Sequence, residues 1–186
     1  MSLSHAILGL LQQQQQTGYD LKTECFDQCI AHLWPADQAQ IYRTLDKLQA
    51  QGWIDCTVEI QRDRPNRKVY CITEAGAAEL TRWLQTHQPL PVVREPLLIQ
   101  LYFAAQLPDA AILQLLNAGL AEHRARLATC QQVEVPPLDD PSATREQKLR
   151  RLVLDLVCRR EQAYLGWLEE AIALFRAAAL GEGGDR

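Results

Sequence analysis

The chain has no surplus of positive charge. Its 19 Lys and Arg stand against 23 Asp and Glu, a net of −4, with a pI near 5.6, which counts against nucleic-acid binding through a broad basic footprint. No run approaches the roughly 20 apolar residues that a membrane span needs, so no membrane partner is expected. The first residues lack the basic start and small-residue cleavage site of a secretory signal, which points to the cytoplasm. In that compartment the six cysteines are expected reduced rather than bridged. There is no phosphate loop, no nucleophile elbow and no metal signature, and the four histidines are scattered. An enzyme is therefore the weakest reading, and no cofactor is expected.

What is present suits an ordinary folded protein: 186 residues, 47% hydrophobic and 6% aromatic, enough for one large or two small domains. The informative stretch is Ala39 to Thr73. Ile41, Leu45 and Leu48 fall at i, i+4 and i+7 and make one apolar stripe of a helix, with Gln38, Gln40, Tyr42, Arg43 and Lys47 off it. Gly52 supplies the residue a helix C-terminus favours. Then the period becomes two: Ile54, Cys56, Val58 and Ile60 alternate with Asp55, Thr57 and Glu59, as in a strand with one face on a core. A return strand spans Lys68 to Ile72. Between the strands lies the cationic turn RDRPNRK, bent by Pro65 and Asn66. A helix, a glycine stop and a basic hairpin form the second half of a winged helix, whose helix enters a major groove while the wing touches the backbone. Arg62, Arg64, Arg67 and Lys68 crowd the hairpin, against Asp63 alone. Such a local cationic finger contacts phosphates while the rest of the protein stays acidic. A solvated turn is the simpler reading of so short a charge cluster.

Three linked pieces, Gln-Ile-Tyr-Arg-Thr-Leu-Asp-Lys-Leu, Gln-Gly-Trp-Ile and Val-Tyr-Cys-Ile-Thr-Glu-Ala-Gly, resemble the PadR-like transcriptional regulators. The likeness is to the branch with a C-terminal helical dimerisation domain, and it covers nearly the whole chain. The implied fold is mainly α. A winged helix-turn-helix domain of three to four helices plus a two-stranded wing, residues 1–88, precedes an all-α dimerisation domain, residues 89–186, with a long last helix.

Taken in order, Ser4 marks the start of helix one, which buries Ala6, Ile7, Leu10 and Leu11 and ends in the glutamines Gln12 to Gln16, read as a polar loop or frayed turn. Thr17 caps helix two with Asp20 in its first turn. The Thr-Gly-Tyr-Asp-Leu run also resembles the family's second-helix start, and free NH groups there make Thr17, Gly18 and Tyr19 secondary phosphate contacts. Cys25, Cys29 and His32 fall at i, i+4 and i+7 of that helix. With Phe26, Ile30 and Leu33 around them and no fourth ligand at zinc spacing, core cysteines are the simpler reading than metal ligands. Trp34 and Pro35 stop the helix, and Asp37 caps the recognition helix, about 37–51. Thr73 caps a fourth helix to Gln85, followed by a linker at Gln88 to Pro91.

A helix is expected over Arg94 to Gln106, with Pro96 in its first turn and Leu97, Leu98, Leu101 and Phe103 buried. Asp109 caps the next, through Leu113, Leu116, Leu120 and Leu127 to about Val133. After the loop VPPLDDPSAT, the last helix runs from near Ser142 to about Leu180, about 57 Å at 1.5 Å per residue. Its apolar side, Leu149, Val153, Leu156, Ala163, Trp167, Ile172 and Phe175, is too long for this small domain to cover alone, and its length favours a second subunit. Residues 181–186 read as a disordered tail.

The leading functional reading is a homodimeric, sequence-specific regulator whose two recognition helices meet a pseudo-palindromic operator in double-stranded DNA. Gln38 and Gln40 face base edges, Tyr42 a phosphate or base edge, and Arg43 and Lys47 phosphates or guanine. The wing, residues 61–68, holds the backbone through its four cations. Repression rather than activation is what the resemblance implies. The alternative is a winged helix used as a protein-interaction module without an operator, which the acidic charge favours. Tyr102, Phe103, Tyr164, Trp167 and Phe175 among many alanines suggest clefts for a small aromatic effector, a response the resemblance also implies, although core packing accounts for them equally. Cys56 and Cys71 are expected directly opposite across the wing strands, either as packing residues or as a redox pair.

Overall fold

In the computed structural model the described residues are 2–31, 33–60 and 66–181, with side chains described for all of these but Ser2, Cys29 and 178–181. The chain divides into two compact units, Met1–Leu90 and Pro91–Arg186.

In the first unit α1 (Ser2–Gln13) leads into β1 (Gln16–Thr17), and α2 (Gly18–Asp20) continues as a π-helix (Leu21–Cys29). Then come α3 (Gln38–Ala50), β2 (Ile54–Glu59), β3 (Arg67–Ile72) and α4 (Glu74–Gln85). The core gathers Ile7, Leu8 and Leu11 of α1, Leu21 and Phe26, the α3 stripe Ile41, Leu45 and Leu48, then Ile54, Tyr70 and Leu80. Gly52, at φ 70°, ends α3. Its NH reaches the Gln49 carbonyl at 2.9 Å and the Trp53 NH reaches the Leu48 carbonyl at 3.0 Å, a closure that needs a left-handed residue at Gly52. The Thr73 hydroxyl donates to the Gly52 carbonyl at 2.7 Å and accepts from the Gly76 NH at 3.1 Å. One side chain thus closes the end of α3 and caps α4.

Three expectations change here. The end of the glutamine run is a strand: Gln16 and Thr17 pair with Tyr70 and Val69, giving a three-stranded antiparallel sheet in the order β1-β3-β2. Gln16 is buried, and its amide oxygen accepts from the Cys25 thiol at 3.4 Å. Second, helix two is wound with i→i+5 bonds, as in Ile30 NH to Cys25 carbonyl at 2.9 Å. The wider π turn shifts the faces assumed for Cys25, Cys29 and His32. Cys25 is buried, the Cys29 side chain is not described, and His32 lies outside the described residues. Among the described residues no group of three His, Cys, Asp or Glu stands at metal-binding distances. Third, Cys56 is opposite Tyr70 and Cys71 is opposite Asp55. The register turns on a residue rather than between two, so the cysteines project from opposite faces and cannot form a cross-strand pair. The alternation also gives out toward the wing. Ile54 is buried, but Val58 is 51% exposed, and Ile60, beyond the strand, is 85% exposed.

The second unit holds α5 (Pro96–Tyr102), a 3₁₀ turn (Ala104–Gln106), α6 (Asp109–Gln131) and α7 (Arg145–Gly181). The single helix expected over 94–106 is therefore broken after Tyr102. Phe103 and Leu98 are exposed rather than buried. Asp109 is not the cap: Pro108 holds that position without a side-chain bond, and Asp109 lies in the first turn where its charge suits the helix dipole. Helix α7 starts at Arg145 rather than Ser142, because Thr144 and Gln147 form a reciprocal cap at 3.2 and 2.8 Å. Its 37 residues span about 55 Å. Two apolar clusters join α6 to α7. Ile112, Leu116 and Leu120 meet Leu168 and Ile172, and Cys130 meets Leu154 and Val157. Between them Glu161, 4% exposed, bonds His123 at 2.6 Å, and His123 stacks on Tyr164 at 4.5 Å. No described helix is long and apolar enough to cross a membrane.

The first unit also carries a local pH dependence. Hydrogen bonds from Arg82 and His5 hold the Glu79 carboxyl down at about 2, against a lesser opposing effect of burial. Because the folded value is depressed, this contribution is full above the ordinary value of 4.5 and is lost as pH falls toward about 2. Thermal melts across that interval should therefore show a smaller acid loss in Glu79→Gln than in the native chain. Parallel acid limbs would show that the Glu79 cluster does not contribute.

Candidate nucleic-acid interface

Helix α3 is held by one face and displays the other. At 100° per residue its buried stripe leaves Tyr42, Arg43 and Lys47 on the outer side, with Gln38 and Gln40 at its exposed first turn. Asp37 accepts from the Gln40 NH at 2.7 Å, and the Gln40 amide oxygen accepts from the Asp37 NH at 3.1 Å. Gln40 therefore closes a capping box, which holds its amide oxygen on the Asp37 NH and leaves its NH₂ to donate to a partner. The signal was in the sequence, because Asp-Gln-Ala-Gln has the capping-box spacing. Gln38 lies at the first helical position and is exposed.

A second line of groups lies beside Tyr42. Thr17, Gly18, Tyr19, Asp20, Tyr42, Asn66, Arg67 and Lys68 line a groove of about 500 Å³. Thr17 is buried, and its hydroxyl accepts from the Asp20 NH at 3.1 Å, so its first task is to cap the helix. Tyr19 is 63% exposed. Gly18 makes room for Tyr42, since a Cβ there would lie 2.7 Å from the tyrosine ring. Arg67 and Lys68 are exposed on β3, at the base of the wing. Arg62 and Arg64 lie outside the described residues.

The sequence reading missed three features of this surface. Asp20 bonds Arg67 at 2.6 Å, a contact between residues 47 apart that no local pattern announces. Trp34, read only as a helix stop, is exposed beside Leu33, Pro35, Gln40, Arg43 and Lys47 in a groove of about 760 Å³. Ala39 and Asp46 stand on the outermost line of α3 with Arg43. The helical spacing of the stripe would have located that line.

A helix with one anchored and one polar face, backed by a small sheet whose central strand carries Arg67 and Lys68, defines a winged helix of the DNA-reading class. Comparison with known proteins agrees along most of the chain. Residues 7–82 match the transcriptional regulator PadR-like family, and residues 93–176 match the virulence activator alpha C-terminal family. The chain is 34% identical over 183 residues to the probable transcriptional regulator Rv1176c of Mycobacterium tuberculosis, covering 91% of this chain and 95% of that protein. It is 32% identical over 176 residues to the negative transcriptional regulator PadR of Bacillus subtilis, covering 92% and 96%. A crystal structure of that PadR with operator DNA superposes at a TM-score of 0.79, covering 94% of this chain and 99% of that one. The Vibrio cholerae virulence activator AphA, 30% identical, does so at 0.73 over 95% and 99%. The chain belongs to the PadR-like family: it is a DNA-binding transcriptional regulator and not an enzyme.

The packing of Tyr42 on Gly18 supplies a test. Gly18→Ala should displace the tyrosine ring, whose far end is free to move, and lower DNA affinity while the thermal midpoint stays near that of the native chain. Unchanged affinity in a titration of labelled duplex would show that the position of Tyr42 does not matter for binding.

Proposed function

We propose that the chain works as a homodimeric repressor, in which residues 1–88 read a pseudo-palindromic operator and residues 89–186 hold two copies together. The observation that carries the DNA reading is the anchored α3. It displays Gln38, Gln40, Tyr42, Arg43 and Lys47, and Tyr42 shares a groove with Tyr19, Arg67 and Lys68. In this reading the glutamines meet base edges, Tyr42 a phosphate or a base edge, Arg43 and Lys47 phosphates or guanine, and Tyr19, Arg67 and Lys68 the phosphate backbone. Arg62 and Arg64 extend the backbone contacts along the wing. Repression is supported by the name of the B. subtilis relative, a negative regulator, which has been crystallised on operator DNA. The same relative has been crystallised with p-coumaric acid, which supports a small aromatic effector here. Such a ligand relieves repression only if it binds the DNA-incompetent dimer more tightly than the competent one. The proposed place of action is the cytoplasm.

The dimer reading rests on α7. Leu154, Val157, Glu161, Leu168 and Ile172 face the chain's own unit, where Phe175 also packs. Ile172 and Phe175 therefore leave the proposed dimer face. Leu149, Val153, Leu156, Ala163, Trp167 and Leu174 remain exposed. Their steps of four, three and seven residues are those of a seam between helices, and a second copy of the chain is the occupant we propose.

Selection of bound duplexes from a random pool tests the operator. It should return two inverted half-sites whose centres are about one helical turn, roughly 10 base pairs, apart. Recovery of a single unrepeated site would overturn the dimeric reading, and recovery of no preferred sequence would overturn the operator. Separately, Leu156→Lys should sediment as a monomer and lose most operator affinity. A variant that still sediments as a dimer would move the interface off this stripe.

A further inference from the structure

Asp20 is a negative charge inside a surface whose task is to meet phosphates, and its placement is not incidental. Its Oδ2 accepts from the Thr17 NH at 3.2 Å and from Arg67 Nη2 at 2.6 Å. The first bond fixes the carboxylate in the capping box of α2, so Arg67 is tied to a rigid helix start rather than to a mobile side chain. The Asp20 side chain is 22% exposed and the Arg67 side chain 48%, so about half of the arginine stays accessible, and it lines a groove with Tyr42 and Lys68. An arginine has five donors in a planar fork and here gives one Nη to the carboxylate, so the remaining edge can still meet a phosphate.

We infer that Asp20 is a positioning and specificity-determining residue: it aims Arg67 at one phosphate of the operator and cancels that arginine's charge toward DNA at large. The inference rests on the interface reading above. Sequence-independent binding grows with the number of cations that release counterions from the duplex. Paired with Asp20, Arg67 contributes little to that number while the complex is loose. In the operator complex the orientation of the free edge is already set, which offsets the attraction lost to the carboxylate. The net effect is to lower affinity for arbitrary sequence more than affinity for the operator.

The test compares the native chain with Asp20→Asn, Arg67→Ala, the double variant and Asp20→Glu. Each is titrated against the selected operator and a scrambled duplex over a range of salt. Asn keeps an acceptor for the Thr17 NH and loses the charge. Asp20→Asn should bind the scrambled duplex about threefold or more tightly, with a salt slope steeper by roughly 0.9, the value for one added phosphate contact. Operator affinity should change less, so the operator-to-scrambled ratio falls. Asp20→Glu, which keeps the charge, should remain close to the native ratio. In the Arg67→Ala background the Asn substitution should have no effect, because it acts through that arginine. Unchanged scrambled affinity and slope in Asp20→Asn would overturn the inference. So would an effect of equal size in the double variant, which would make Asp20 a general charge or a fold element. If Arg67→Ala changes neither duplex, Arg67 is no contact and the inference fails with it. If the native chain itself makes no distinction between the duplexes, the operator reading fails instead.

Discussion

The interface depends on the burial of Ile41, Leu45 and Leu48, all fully inaccessible. An isolated helix of 13 residues is marginal in water, so packing rather than propensity keeps α3 formed. Each of the three side chains adds about 1.5–3 kcal/mol on burial, and together they fix the rotation of the helix about its axis. That rotation decides which residues are displayed. A helix that slid by one position would turn its outer line through 100° and exchange Arg43 for a neighbour. The Asp37 box at one end and the Gly52 closure at the other fix the length of the displayed segment.

Much of this was legible because it is local. Caps are short-range, and Thr17, Asp37 and Thr73 all act at the helix starts assigned to them. The α3 stripe and the Gly52 stop follow from spacing and from a backbone preference. The misread features are those set by partners distant in sequence. Gln16 belongs to a polar run, and only pairing with Tyr70 makes it a strand residue. The Cys56 and Cys71 register depends on whether the loop between the strands has an odd or even number of residues, and one residue moves a side chain to the other face. The π winding after Asp20 has no compositional signature in Leu21–Cys29. The Asp20 to Arg67 bond joins two segments that either pattern would leave separate. As for the site, its helix and the Thr17 and Asp37 caps were readable, while Gln40 was assigned to base edges alone although its spacing from Asp37 also carries a capping task.

The second unit shows the same division between pattern and partner. Periodicity marks α7 as apolar on too broad an arc, but it does not say which part of the arc its own unit covers. The contacts divide it. On α6 the residues Leu116, His123 and Cys130 step by seven, and on α7 Leu168, Glu161 and Leu154 step back by seven. The middle pair is polar and largely buried. A register slip by one turn would put Glu161 against an apolar cluster without its imidazole, and an uncompensated buried carboxylate is costly. A polar layer between two apolar ones therefore selects one alignment of the two long helices. It also fixes which residues of α7 remain outside.

The acidic balance of the chain then ceases to oppose its function. At physiological salt the Debye length is about 8 Å, so charges farther than that from a phosphate add little to its binding. In the proposed interface the duplex would meet a local set, Arg43 and Lys47 of α3 and Arg67 and Lys68 of β3, with Asp46 of α3 and Asp20 of α2 among them. The net of −4 means that the rest of the surface supplies no general attraction to nucleic acid of arbitrary sequence. A strongly basic protein would gain affinity everywhere and so lose contrast between its site and the rest of the genome. Few cations, with Arg67 among them held by Asp20, give the smaller total attraction and the larger difference between sequences.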